Sequence, residues 1–264
     1  MTVKLHFSRS GHGSPVVLLH GLFGSGNNLG SLARALQDSH SVYSVDLPNH
    51  GRSGWLEEAT LASMADCLAR WLNLQGLARA QFVGHSLGGK VAMQLALAQP
   101  GLVSALVVAD IAPVDYPPHH DQVFAALEAV AAGQCTSRQA AAGLMAGHLA
   151  QEQVIQFLLT SLRRDPDGIY RWRFNLEGLR RGYAAVRSRP TATGAYPGPV
   201  LFIKGGDSDY IREEHRSHIL SLFPRAQVRI MPGCGHWLHA ERPQLFNSLV
   251  RRFLLAPDSG ADGG

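Results

Sequence analysis

Three cysteines in 264 residues, Cys67, Cys135 and Cys234, are odd in number and widely scattered. That argues against a disulfide framework and points to a reducing compartment, the cytoplasm. No apolar run approaches the roughly 20 residues that a helix needs to cross a bilayer. The opening Met1-Thr2-Val3-Lys4-Leu5-His6 lacks the charged-then-apolar pattern of a secretory signal. Charge of one sign is scarce too. The balance is +4, modest for this length, and no recognised binding module accompanies it, which argues against nucleic acid as a partner. The motif G-x-x-x-x-G-K-[ST] occurs nowhere, and no G-x-G-x-x-G follows the first strand, so two common nucleotide cradles are missing. His119-His120-Asp121 has no second cluster at metal-like spacing and reads as a polar turn. No metal and no cofactor are expected, and there is no internal repeat.

What is present alternates. Short apolar runs at 16–19, 42–45, 80–83, 105–109, 200–203 and 228–231 read as strands, with helical patterns at 28–37, 61–74, 90–99 and 243–255 between or after them. This order predicts an α/β domain with a mainly parallel sheet and helices on both faces. Asn27 or Asn28 is the expected cap of the first helix, and Thr60 of the second. Met64 and Trp71, at helical spacing with Leu61, Leu68 and Leu72, read as core rather than as a ligand site.

The most informative segment is Gly84-His85-Ser86-Leu87-Gly88-Gly89, placed between strand and helix. This is G-x-S-x-G in the context of a nucleophile elbow, where a tight turn exposes the serine hydroxyl at the end of a sheet. The helix that follows aims its N-terminus at the serine, favouring a developing anion. Upstream, His20-Gly21-Leu22-Phe23-Gly24 ends the first strand. Backbone N–H groups of Leu22 and Leu87 are the expected oxyanion donors. Downstream, Pro232-Gly233-Cys234-Gly235-His236-Trp237 sets a histidine on a glycine-rich loop before the last helix, the expected place of the general base. Cys234 lacks the elbow context of a thiol nucleophile and reads as a loop residue. Two acids can serve the histidine. Asp209 closes a G-x-x-D after strand 200–203, and Asp110 ends strand 105–109; spacing permits either.

These residues resemble the α/β-hydrolase superfamily, and within it a subgroup of small bacterial esterases with mitochondrial counterparts. The segments that carry the resemblance are His20 to Ser25, Asp46-Leu47-Pro48-Asn49-His50-Gly51-Arg52-Ser53, Gly84 to Lys90, Asp110 to Tyr116 and Gly235 to Glu241. The resemblance spans about Leu5 to Leu255. It implies an eight-stranded type of mostly parallel sheet, with core residues 1–112 and 196–256, a helical cap over 113–195 and a flexible tail at 257–264. Members of the subgroup often lack an acid at the position of Asp209 and use the one matching Asp110. This chain has carboxylates at both Asp207 and Asp209, so Asp110 is the expected triad acid and Asp209 its alternative.

The cap is expected to contain helices near 123–132, 137–148 and 152–162, then the aromatic run Tyr170-Arg171-Trp172-Arg173-Phe174. Phe23, His85, Trp172 and Trp237 are the expected pocket residues, with Phe174 an alternative to Trp172; cap–core packing would use the same aromatics. Arginines at 163, 164, 171, 173, 180, 181, 187 and 189 form basic patches that suit either a phosphate-bearing thioester or plain solvation. The implied activity is hydrolysis of an acyl ester or thioester by Ser86, His236 and an aspartate through an acyl-enzyme. The implied partner is a small molecule, with the protein a monomer or homodimer. Carbon–carbon bond hydrolysis, perhydrolysis or acyl transfer on the same triad, and a non-catalytic receptor of the same fold, are the alternatives.

Overall fold

The computed structural model describes residues 3–256; the tail expected at 257–264 lies outside them. Strands β1 (Phe7–Ser10) and β2 (Ser14–Leu19) come first, followed by helix α1 (Gly30–Leu36) and strand β3 (His40–Val45). Next are α2 (Leu61–Leu74), β4 (Ala80–His85), α3 (Leu87–Ala98) and β5 (Val103–Ala109). After β5 the chain leaves the sheet for about ninety residues. That insertion holds α4 (Asp121–Ala132), α5 (Arg138–Ala146), α6 (Glu152–Leu159), a two-stranded ribbon β6 (Leu162–Arg164) and β7 (Tyr170–Trp172), then α7 (Leu176–Arg181) and α8 (Tyr183–Arg187). The chain returns through β8 (Val200–Gly205), α9 (Arg216–Leu222) and β9 (Ala226–Met231), and ends with α10 (Leu238–Glu241) and α11 (Pro243–Leu255).

The main sheet has seven strands among the described residues, in the order β1-β3-β2-β4-β5-β8-β9. Every pair is parallel except β1 against β3. The sheet is therefore one strand short of the eight-stranded type. Residues ahead of β1 are used elsewhere: the carbonyls of Lys4 and His6 accept from Gly54 and Asp46 N–H groups. The interior strands are apolar on both faces because helices cover both. In β2, Val17 and Leu19 join one core and Val16 and Leu18 the other, the period of two that a strand imposes. Helices α2 and α3 cover the first face, while α1 and α11 cover the second.

Helix α2 has the expected bounds. Thr60 Oγ1 accepts from Ser63 N–H and Ser63 Oγ accepts from Thr60 N–H, a reciprocal cap. The first helix departs from expectation. Gly26–Leu29 forms a 3-10 turn ahead of α1, and Asn28 lies inside it, its side chain accepting from Ser25 N–H. Ser25 is the cap. The chain leaves β2 for β3 on one side and β4 for β5 on the other, so the carboxyl ends of β2 and β4 mark the switch point, the usual ligand position of an open α/β sheet.

The insertion is tied to the core by two side chains one helical turn apart on α3. Lys90 is buried, and its Nζ donates to the carbonyls of Val114 (3.0 Å), Arg187 (2.6 Å) and Ser188 (2.7 Å). All three ammonium protons are used, on both ends of the insertion. Gln94 Oε1 accepts from Thr191 N–H at 2.7 Å. Burial pushes Lys90 down to about 7, with Arg187 adding to the shift and Asp115 opposing it.

Candidate active site

Ser86 stands one residue past β4 at φ 51° and ψ −115°, a left-handed conformation that a non-glycine residue adopts only when its surroundings hold it. Its N–H donates to Ala109 O of the next strand at 3.0 Å. The flanking glycines are needed for close approach. A Cβ on Gly84 would lie 2.4 Å from the Gly88 backbone, and one on Gly88 would lie 2.4 Å from Leu19 O. Asp110 stands in the same way at the end of β5, again at φ 51°, with its N–H donating to Ile203 O at 2.8 Å.

The Asp110 carboxylate is fully buried and accepts three bonds. Gly205 N–H donates to Oδ1 at 2.9 Å, while Ser208 Oγ and His236 Nδ1 both reach Oδ2, the latter at 2.8 Å. Asp209 and Asp207 are exposed. The G-x-x-D loop meets the site through Ser208 rather than through either of its carboxylates. Asp207 N–H bonds Cys234 O at 2.9 Å, which fixes the loop against the histidine segment. Sequence reasoning missed Ser208 because attention falls on the acids around it.

His236 is held on three sides. Its carbonyl accepts from His85 Nε2 at 2.9 Å. The Tyr210 ring stacks on the imidazole at 4.0 Å between centroids. Gly235 N–H donates to the Glu241 carboxylate at 2.7 Å. Burial, reinforced by His239 and His236, pushes His85 well below the ordinary histidine range, so its ring is a neutral donor to that carbonyl.

Ser86 and His236 open onto one cavity of about 420 Å³, together with Leu22, Phe23, His85, Leu87 and Trp237. Leu87 is the first residue of α3, so its N–H has no partner in the helix. In the upstream turn, Gly24 N–H bonds Gly21 O (3.1 Å) and Phe23 N–H bonds His50 Nε2 (3.2 Å). Among the described residues, no hydrogen bond takes the Leu22 N–H. The insertion supplies the opposite wall with apolar Val123, Val154, Phe157 and Leu158.

Trp172 is a correction: it lines no part of this cavity. Its indole N–H donates to Leu127 O at 2.9 Å and its ring stacks on Phe174 at 5.2 Å. Phe174 is buried and packs on Phe23, 5.3 Å between ring centroids. Both aromatics join the insertion to itself and to the core. His119 and His120, expected as part of a polar turn, instead face the cavity; His119 Nε2 lies 2.7 Å from Tyr210 Oη and His120 Nδ1 lies 2.6 Å from Tyr183 Oη. Their signal in the sequence was the adjacent pair itself, which carries no chemistry until a fold supplies the tyrosines.

Five of the eight arginines named above are ion-paired, while Arg187 lines the cavity and donates to Tyr116 O. Arg171 pairs with Asp165 and Asp167, Arg163 with Asp165, Arg180 with Asp121, Arg181 with Glu177 and Arg189 with Asp115. Among the described residues no helix is long and apolar enough to cross a membrane. The three cysteines are buried and free.

The chain matches the alpha/beta hydrolase family over residues 16–249. It is 43% identical over 242 residues to esterase YbfF of Escherichia coli (strain K12), covering 91% of this chain and 93% of that protein. It is 39% identical over 247 residues to the Mus musculus protein named sn-1-specific diacylglycerol lipase ABHD11, covering 90% of this chain and 80% of that one. A solved structure described as a marine microorganism esterase superposes with a TM-score of 0.92 at 36% identity, over 95% of this chain and 99% of that one.

Proposed function

The chain belongs to the alpha/beta hydrolase family, and from that premise we propose that it is a serine carboxylesterase in which Ser86, His236 and Asp110 act as a triad. The observation that carries this reading is the 2.8 Å hydrogen bond from His236 Nδ1 to the buried Asp110 carboxylate, with His236 lining the same cavity as the left-handed Ser86. Asp110 fixes the tautomer that leaves Nε2 free to take a proton, and it stabilises the imidazolium that forms.

Ser86 Oγ attacks the ester carbonyl while His236 Nε2 takes its proton. The carbonyl oxygen becomes an oxyanion held by the Leu22 and Leu87 N–H groups at the positive end of α3. Collapse breaks the bond to the alcohol oxygen, and His236 returns the proton to it. Water then attacks the acyl-enzyme, His236 takes its proton, and the carboxylic acid leaves with Ser86 restored.

Residues 113–195 act as the cap. The acyl chain lies against Val123, Val154, Phe157, Leu158 and Trp237, the apolar part of the cavity wall. The free buried thiols suit a cytoplasmic enzyme.

Hydrolysis of p-nitrophenyl esters from acetate to palmitate tests the reading. Turnover that disappears in Ser86→Ala supports it, and near-normal turnover in folded Ser86→Ala overturns it.

A further inference from the structure

The turn that carries Leu22 is pinned from both sides of the cavity. On the core side, His20 Nδ1 donates to Gly21 O at 2.8 Å, the carbonyl of the same peptide group that bears the Leu22 N–H. Phe23 N–H donates to His50 Nε2 at 3.2 Å. The other nitrogen of each ring is also engaged: Leu47 N–H donates to His20 Nε2 at 3.0 Å, and His50 Nδ1 donates to Pro48 O at 2.9 Å. Each ring must therefore be neutral and in one tautomer. Burial keeps both below the ordinary histidine range, His50 down to about 3.

On the cap side, Ser161 follows α6. It is 3% exposed, and its Oγ donates to Phe23 O at 2.6 Å. Phe23 sits at φ 64°, a conformation that a bulky residue holds only when neighbours over-determine it. Its ring is inserted among cap residues Phe124, Phe174 and His120. The peptide group between Phe23 and Gly24 is thus gripped at its oxygen by Ser161. At its nitrogen it donates to Gly21 O at 3.1 Å, the carbonyl of the Leu22 peptide. Two hydrogen bonds link the cap to the oxyanion donor.

We propose that Ser161 is a positioning residue: docking of the cap onto Phe23 completes the oxyanion turn and sets the direction of the Leu22 N–H. The proposal rests on the esterase reading above. It makes the cap more than a wall for the acyl chain, because a cap displaced from Phe23 leaves the donor without its final restraint. Ester substrates that hold the cap down are then turned over faster, not only bound more tightly.

The test compares the wild type, Ser161→Ala, Ser161→Thr and Ser86→Ala on p-nitrophenyl butyrate, with inhibition by an alkyl trifluoromethyl ketone and by the matching methyl ketone. The trifluoromethyl ketone adds to the serine and develops an oxyanion; the methyl ketone reports ground-state binding. Loss of a direct oxyanion donor typically costs about 10²–10³ in kcat, and a restraint on that donor should cost less, about 10-fold. The expected result for Ser161→Ala is a kcat about 10-fold lower with KM nearly unchanged. The trifluoromethyl ketone should weaken by a similar factor while the methyl ketone does not, and Ser161→Thr should restore much of the loss. Wild-type kcat and wild-type ketone affinity in Ser161→Ala overturn the proposal, as does equal weakening of both ketones. If Ser161→Ala does not fold, Ser161→Cys, nearly isosteric and a weaker donor, carries the same comparison with a smaller fall. Wild-type turnover that Ser86→Ala leaves intact overturns the esterase reading and this proposal with it; turnover that depends on Ser86 but not on Ser161 overturns this proposal alone.

Discussion

At the carboxyl ends of the central strands β4 and β5, Ser86 and Asp110 each stand one residue past a strand, both at φ 51°, each with its N–H bonded to a carbonyl near the end of the neighbouring strand. Across the cavity, the insertion proposed as the cap places its apolar wall by other means. Lys90 and Gln94 hold its two ends, Ser161 grips Phe23, and aromatic rings fill the seam. The placement of these two proposed triad members thus follows from the backbone ladder of a parallel sheet, which is buried, continuous and hard to shift. The cap depends on a few side-chain bonds to main-chain carbonyls and amides, each removable without cutting the sheet. Damage at these strand ends should therefore fall on chemistry, and damage in the insertion on binding, stability or fine positioning.

The largest effect should come from Ser86→Ala, with kcat on a p-nitrophenyl ester lower by roughly 10⁶-fold, the scale of removing a serine nucleophile, and an unchanged thermal midpoint. Asp110→Asn should follow, at about 10⁴-fold, since the wrong tautomer of His236 is then favoured. The same measurement on Asp209→Asn should match the wild type; a loss there comparable to Asp110→Asn would break the contrast between the buried and the exposed acid.

Lys90 sharpens the other side. Its folded value of about 7 lies below the ordinary 10.5. Below about pH 7 both folded and unfolded chains carry the proton. Between pH 7 and 10.5 the unfolded chain binds a proton that the folded chain lacks, so stability from this group rises with pH. The thermal midpoint of the wild type should rise from pH 7 to pH 9 relative to Lys90→Met, which lacks the titrating group. Parallel pH curves for the two proteins would contradict this.

The smallest effect belongs to Trp172→Phe, which removes one hydrogen bond to Leu127 O at a cost of about 1 kcal/mol. KM for the esters should not move, because the indole lies outside the cavity; a several-fold rise would return Trp172 to the pocket.

Much of the core could be read in advance. Its strands are short apolar runs buried on both faces, and α2 carries both its apolar stripe and its own cap at Thr60. Strand β1 could not, because Phe7-Ser8-Arg9-Ser10 is polar and half exposed at a sheet edge, where no burial pattern is required. Helices α7 and α8 were missed beside the aromatic run, being only one or two turns long and stabilised by packing rather than by periodicity. Ser208 and Ser161 gave no signal at all: a serine in a loop is ordinary until its hydroxyl meets a particular carboxylate or carbonyl.

By itself the sequence determined what local backbone geometry determines. The glycines around Ser86 permit one tight strand-to-helix turn, and the apolar periods fix which residues face a core. The loop at 232–237 can only follow the last strand. Tertiary structure alone decided whatever depends on residues far apart in the chain. His236 meets Asp110 across 126 positions, Ser161 reaches Phe23 across 138, and Lys90 joins the two ends of the cap. A hydrogen bond is set by an approach of about 3 Å. No spacing along the chain encodes that approach until the sheet and the cap have packed.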